Sequence, residues 1–473
     1  MRRRWMALAP IVALVAIIPL ARRTLSAEGA HGDAPSIAKL IGGAAAAPPA
    51  PKLAGLDLTK IAINDGEVTA PLPDKKVARL TVDPALQNIA KHVMTMHHVP
   101  EAAVVLMDVA TGKILVYASH IENGQARDLA VEATAPAASV FKVVTGSALV
   151  EHAGLSPDQR ECYSGGEQRL VQHDLVPDPR RDRWCTTLAG AMGRSINTVF
   201  ARLALRHLKA PALEETARAL GFGASLPFDV PVQASALHFP EDQLGFARTA
   251  AGFWNTTLSP VHAAWLSATV ARGGEPVRPV LVESVADDDG KKIWTARTGL
   301  AQKRALKADT AQAVTTMMEN TVTDGTSYRA FHDGRGASFL PNIPVAGKTG
   351  TLTDPVAKRF YTWFTGFAPS HPPADIAAPR QVAIAVLVVN NPTWTIKANI
   401  LAREVLRGYF ASQKVPNVTS PTPGERAAER SPERSEERET RDPRASHPAP
   451  IPRDVPASTS TTPGTKHRRH RGS

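Results

Sequence analysis

The chain has 473 residues, 43% hydrophobic and 21% charged, with 39 prolines gathered towards its two ends and a net charge of +11. That length and an ordinary apolar fraction argue for one large domain with appendages and against a fibrous or wholly disordered chain. The basic balance raises nucleic acid as a partner, but no zinc-ligand set, RNP aromatic motif or sustained basic helix accompanies it; an anionic cell envelope suits the same charge.

The chain opens "MRRRWMALAPIVALVAIIPLARR", with arginines on both sides of an apolar run from Trp5 to Ala21. This pattern points to export, as an uncleaved signal anchor or as a cleaved signal peptide. Arg22 and Arg23 and the lack of a clean A-x-A favour the anchor over residues 1–23, although the run is short for a span and Pro10 and Pro19 interrupt it. A buried soluble helix is a third reading. Residues 24–55, including "GGAAAAPPAPK", read as a Pro/Ala-rich linker, and 56–79 as a lead-in segment.

From Leu80 the pattern tightens into a domain expected over 80–412. "TVDPALQNIAKHVMTMHH" places Asp83 as a helix cap and Pro84 at the first helical position. "AAVVLMDVATGKILVYAS" is two apolar runs about a turn at Ala110 to Lys113, a β-hairpin. From Ser139 to Val270 the period is mostly helical, with breaks at Gly154, at a polar loop between Cys162 and Cys185, and at "GFGASLPFDVP". "RPVLVESV" returns to strand and "ADTAQAVTTMMENTV" to helix. "IPVAGKTGTL", "RFYTWFTGFAP" and "QVAIAVLVVNN" are strand runs before a last helix, "NILAREVLRGYF". Strands at both ends around a helical middle predict an α+β fold, with one central antiparallel sheet covered by helices. Residues 413–473 hold almost no apolar residues and predict a disordered tail. Its basic end, "KHRRHRGS", is either a wall-polymer contact or a solvated terminus.

Cys162 and Cys185 are the only cysteines. In an oxidising compartment they make a disulfide candidate, restricting the unfolded chain by roughly 3 kcal/mol in the loop-entropy account; two buried reduced thiols are the alternative.

Three short motifs carry chemistry. In "AASVFKVVTGSALVE" Ser139 and Lys142 are three apart at a helix start, so hydroxyl and amine share one face. An amine desolvated by Val140, Phe141, Val143 and Val144 can take the proton of an otherwise weak nucleophile. In "GRSINTVFARLAL" Ser195 offers a hydroxyl for proton relay and Asn197 an amide to hold a substrate carbonyl. In "VAGKTGTL" Lys348, Thr349 and Thr351 can receive a carboxylate while Gly350 permits close approach. Taken singly, these are common as a surface pair, a cap or turn, and a strand end.

In that order the three motifs resemble the penicillin-binding protein and serine β-lactamase superfamily. "LTVDPALQ", "ALGFG", "TTLSPVHAAWLSATVARGG", "VTDGTSYRAF" and "YTWFTGFAP" extend the similarity to transpeptidase domains from Leu80 to Phe410. The resemblance implies a sheet domain joined to an all-helical subdomain. It also implies a D,D-transpeptidase in which Ser139 forms an acyl-enzyme with D-Ala-D-Ala stem peptides, Lys142 is the base, Ser195 relays protons and Asn197 positions the peptide. Lys348 would supply positive potential, Thr349 and Thr351 would meet the carboxylate, and the Ser139 and Thr351 amides would form the oxyanion hole. No metal or cofactor is implied. The implied partners are peptidoglycan stem peptides, β-lactams as covalent inhibitors, and cell-envelope proteins of elongation or division. The implied location is the bacterial envelope, with the catalytic domain periplasmic and membrane-anchored through the N-terminal segment.

The chain departs from large relatives in that the residues between linker and domain cannot hold a glycosyltransferase or pedestal domain, and the cysteine loop is additional. A D,D-carboxypeptidase would use the same residues with water as acceptor. A β-lactamase is disfavoured because Lys348 lies 153 residues beyond Ser195 and no hydrolytic glutamate element follows Ser195; "EETARAL" at Glu214 reads as a helix. A non-catalytic penicillin-binding scaffold or sensor is the reading from another class; the intact motifs favour an enzyme.

Overall fold

Strand pairing begins upstream of the tightly patterned region. In a computed structural model, which describes residues 53–421 other than 167–168, 372–378 and 392, strands β1 (Ala62–Asn64), β2 (Glu67–Pro71) and β3 (Val77–Leu80) pair antiparallel in succession. Residues 56–79, expected as a lead-in, are therefore part of the folded unit, and Leu53 of the expected linker is buried in its core. Only Val68 and Ala70 in β2, and Ala78 and Leu80 in β3, point inward, too few to stand out as period-two runs. The expected N-terminal anchor and nearly all of the linker lie outside the described residues, among which no helix is long and apolar enough to cross a membrane.

Helix α1 (Pro84–Met96) starts as its sequence predicts, with the Asp83 carboxylate accepting from the amides of Ala85 and Leu86. The hairpin follows as β4 (Glu101–Asp108) and β5 (Ile114–Ile121), its turn held by Asp108 accepting from the Thr111 amide and hydroxyl. The middle of the chain contains the short strand β6 (Ala135–Pro136), a 3₁₀ turn Ala138–Phe141 and α2 (Lys142–Ala153), then β7 (Arg160–Tyr163) and β8 (Trp184–Thr187). Next come α3 (Leu188–Gly193), α4 (Asn197–His207), α5 (Ala210–Ala219), α6 (Gln243–Ala250), β9 (Thr257–Leu258) and α7 (Pro260–Ala271). Every residue of α7 from Pro260 to Val270 is buried, which explains why it reads as apolar all round.

Strands β10 (Val282–Ala286) and β11 (Lys292–Thr295) complete the first sheet, β10 pairing with β3. Helices α8 (Ala308–Thr323) and α9 (Tyr328–Phe331) lead to β12 (Ala346–Asp354), β13 (Arg359–Ala368), β14 (Val382–Asn390) and α10 (Ala398–Ser412). The central sheet has the order β12-β13-β14-β4-β5, antiparallel throughout, so strands from both ends of the chain meet as the sequence predicts.

Strand β14 divides the core. Ala383, Ala385, Leu387 and Val389 pack with Leu266 and Val270 of α7, while Val382, Ile384, Val386 and Val388 pack with Leu86 of α1 and Leu401 and Val405 of α10. Burial on both faces is why the strand reads as one continuous apolar run. The α7 layer is tied on by polar contacts as well: Thr365 of β13 donates to the Ala263 carbonyl, and its hydroxyl lies 2.7 Å from that of Ser267. Past α10, Val418 still packs on this core and the Thr419 carbonyl accepts from Arg407; residues 422–473 of the expected tail lie outside the described residues.

Candidate active site

The first motif folds as a tight turn running into a helix. Ala138 adopts φ +49°, a left-handed conformation costly for a residue with a Cβ, and Ser139 sits in the 3₁₀ turn that precedes α2. Lys142, the first residue of α2, is fully buried, as are its chain neighbours Val140, Phe141, Val143 and Val144, and its Nζ lies 5.7 Å from the centroid of the Phe200 ring. Its Nζ lies 2.8 Å from Ser139 Oγ, 2.5 Å from Asn197 Oδ1 and 2.6 Å from the Ala251 carbonyl oxygen. Burial, and secondarily the charge of Lys348, push the Lys142 ammonium well below the usual lysine range.

These three contacts determine which way a neutral amine points. A neutral Lys142 has two N–H bonds and one lone pair, while Asn197 Oδ1 and the Ala251 carbonyl can only accept. The two N–H groups are therefore taken up by those acceptors. The lone pair is left facing Ser139, whose hydroxyl can donate to it.

The second and third motifs form the adjoining wall. Ser195 occupies a sharp turn after α3 with φ +59°, and Asn197 opens α4, where it is buried. Lys348 of β12 is also fully buried, with Nζ 2.9 Å from Ser195 Oγ and donating to the Thr349 carbonyl at 2.8 Å. Burial pushes its pKa down to about 7. A Cβ on Gly350 would stand 3.2 Å from Ala138 Cβ and 3.4 Å from the Ala137 carbonyl, so a bare backbone lets β12 lie against the turn that carries Ser139. Thr349 and Thr351 alternate with Lys348 and Gly350 along the strand, half-buried and exposed respectively.

Ser139, Lys142, Ser195, Asn197 and Lys348 thus converge in two hydrogen-bonded groups, with Thr349, Gly350 and Thr351 on the strand beside them. Cys162 and Cys185 stand apart from that cluster; they face each other across β7 and β8 and are bridged.

Two participants have no place in the motif reading. The Ala251 carbonyl is main chain and carries no side-chain signature. Thr326, in the loop after α8, has its hydroxyl 2.5 Å from that of Thr349 and its amide donating to Gly193. The available signal was the Gly325-Thr326 pair: a Cβ on Gly325 would collide with the Gly193 carbonyl at 2.2 Å, so glycine brings this loop against the turn that carries Ser195.

Comparison with known proteins follows the same geometry. The profile of the penicillin binding protein transpeptidase domain matches residues 102–406. Peptidoglycan D,D-transpeptidase PbpA of Mycobacterium tuberculosis is 29% identical over an alignment of 347 residues that covers 66% of this chain and 66% of that relative, so this chain spans about two thirds of that relative's length. Penicillin-binding protein PbpB of the same organism is 25% identical over 285 residues, 55% of this chain and 39% of the relative. Among solved structures, the imipenem acyl-enzyme complex of penicillin-binding protein A from M. tuberculosis superposes with a TM-score of 0.57 at 26% identity, covering 70% of this chain and 78% of that one. With a Ser139–Lys142 pair buried against Asn197, a Ser195–Lys348 pair beside it and a domain match across 102–406, the chain belongs to the penicillin-binding protein transpeptidase family.

Proposed function

We propose that the chain is a peptidoglycan D,D-transpeptidase of the cell envelope. Ser139 Oγ attacks the carbonyl carbon between the two terminal D-alanines of a stem peptide while Lys142 Nζ takes the hydroxyl proton. The C–N bond breaks, and D-alanine leaves with a proton delivered to its amine through Ser195. An amine from a neighbouring stem peptide then attacks the Ser139 ester, the new C–N bond forms, the ester C–O bond breaks and Ser139 recovers its proton. Asn197 orients the peptide, Lys348 with Thr349 and Thr351 receives the terminal carboxylate, and the amides of Ser139 and Thr351 hold the developing oxyanion. A β-lactam enters by the same first step and stops at the acyl-enzyme, as in the solved structures of penicillin-binding protein A with imipenem, ceftriaxone and penicillin G.

The observation that carries this reading is the fully buried Lys142 Nζ, 2.8 Å from Ser139 Oγ, with its two other contacts, Asn197 Oδ1 and the Ala251 carbonyl, both acceptors. The basic N-terminal segment and the bridged cysteines support a periplasmic domain held at the membrane, which fractionation of cells producing the full chain tests.

Labelling with a fluorescent penicillin tests the chemistry. Wild-type protein is expected to retain the label covalently and Ser139→Ala to retain none; an unlabelled wild type would end the acyl-transfer reading. Separation of cross-linked from trimmed stem peptides then distinguishes an amine acceptor from water, and rapid turnover of a chromogenic β-lactam would identify a β-lactamase instead.

A further inference from the structure

The bridged segment between Cys162 and Cys185 lies behind the catalytic base, against the two helices that supply its acceptors. Helix α4 begins with Asn197, and α6 ends one residue before Ala251. From α4, the buried guanidinium of Arg202 donates to three carbonyls of the segment, those of Cys162, Asp174 and Val176, and pairs with the Asp182 carboxylate at 2.6 Å. One turn nearer the site, the Thr198 hydroxyl donates to the Gly165 carbonyl. From α6, Arg248 donates to the Leu170 carbonyl, while Leu170 and Leu175 pack between Ala201 of α4 and Ala247 of α6. The segment therefore ties the two helices together through main-chain carbonyls, and the disulfide closes its ends.

We propose that this disulfide-closed segment is a positioning brace for the general base, holding α4 and α6 so that Asn197 Oδ1 and the Ala251 carbonyl fix the lone pair of Lys142 on Ser139. Arg202 is its central positioning residue, acting only through these helices. The proposal rests on the acyl-transfer reading of Ser139 and Lys142. A loosened brace lets the two acceptors drift and admits water to Lys142, whose neutral form depends on burial; the other charged group acting on it is Lys348. Both cysteines are solvent-exposed, so the bridge can be opened in the folded protein.

The test compares the full chain oxidised with the same chain reduced by dithiothreitol and alkylated, alongside Thr198→Val, Arg202→Met and the double variant Cys162→Ser/Cys185→Ser. Two quantities are read: penicillin acylation across pH, separated into non-covalent affinity and acylation rate, and the titration of Lys142 by NMR of ε-carbon-labelled lysine. The expected result is an acylation rate lower by about 10- to 100-fold at unchanged non-covalent affinity, with the acid limb and the Lys142 titration both moved to higher pH. Folded reduced protein that acylates within about twofold of the oxidised form, with Lys142 titrating unchanged, would overturn the brace. Reduction and Thr198→Val decide the matter if Arg202→Met does not fold. An oxidised wild type that takes up no penicillin rejects the proposed activity, while the Lys142 titration still reads the brace.

Discussion

Gly252 offers a direct probe of how tightly the Ser139 turn is held. Its φ is +82°, and a Cβ there would lie 2.4 Å from the Ala138 carbonyl oxygen and 2.9 Å from Ser139 Cα. Gly154, which ends α2 at φ +65°, would have nothing within 4 Å of an added Cβ and serves as the control. Both alanine substitutions bear the left-handed backbone cost of about 1–2 kcal/mol. Only Gly252→Ala adds a collision with main chain, and overpacking of this kind costs about 1–3 kcal/mol. The collision is relieved by moving Ser139 or by moving Ala251, and either motion degrades the Lys142 geometry. If that cost falls on the acylation barrier, the rate drops by about 5- to 150-fold. Time-resolved acylation by a fluorescent penicillin, with urea unfolding in parallel, measures both effects. Gly154→Ala should lose stability and acylate normally; Gly252→Ala acylating at the wild-type rate would refute the tight-turn reasoning.

Three further outcomes follow from the same structure. At pH 8 Lys348, held at about 7 by burial, is mostly neutral before a ligand arrives, and a carboxylate beside it favours the charged form. Binding of a D-Ala-D-Ala peptide to Ser139→Ala protein should therefore take up roughly one proton, read as a buffer-dependent heat, and Lys348→Met should abolish the uptake. Thr326→Val removes a hydrogen bond to Thr349 worth about 1 kcal/mol and should raise KM roughly fivefold with little change in kcat, while Thr326→Ser keeps wild-type values. His262 is buried between Ser235 and the Leu220 carbonyl, and burial lowers its pKa to about 4. The unfolded chain binds the extra proton between about pH 6.5 and 4, so stability falls as pH drops through that window, by about 3 kcal/mol. Chemical denaturation against pH should show this as a difference from His262→Gln, because Asp128, pushed up to about 6 by burial, titrates with the opposite sign.

Much of the fold was legible because it rests on local signals. The Asp83-Pro84 start, the hairpin around Ala110 to Lys113 and the uninterrupted apolar run of β14 each carry their cause within a few residues. The first sheet was not legible, since β1 to β3 are three to five residues long and find β10 some 200 residues later. In the site, residue types and spacing announce Ser139 with Lys142, Ser195 with Asn197, and Lys348 with its neighbours. Their meeting is tertiary: Lys348 reaches Ser195 across 153 residues. The Ala251 carbonyl was invisible because any residue supplies a carbonyl, and Thr326 because its meaning comes from the strand it touches.

Strand β12 ends the central sheet, and among the described residues no strand pairs with its outer side. An open row of amides and carbonyls is an invitation to another molecule of the same chain, and soluble proteins usually blunt such rows by covering or shortening them. On the proposed function the cleft beside β12 admits an extended peptide, and so can do neither. What remains is to make the row unwelcoming at its far end, where Asp354 and Lys358 put charges of both signs at the tip of the β12–β13 hairpin. Neutralising those two positions is thus a change whose first symptom would be self-association rather than lost catalysis.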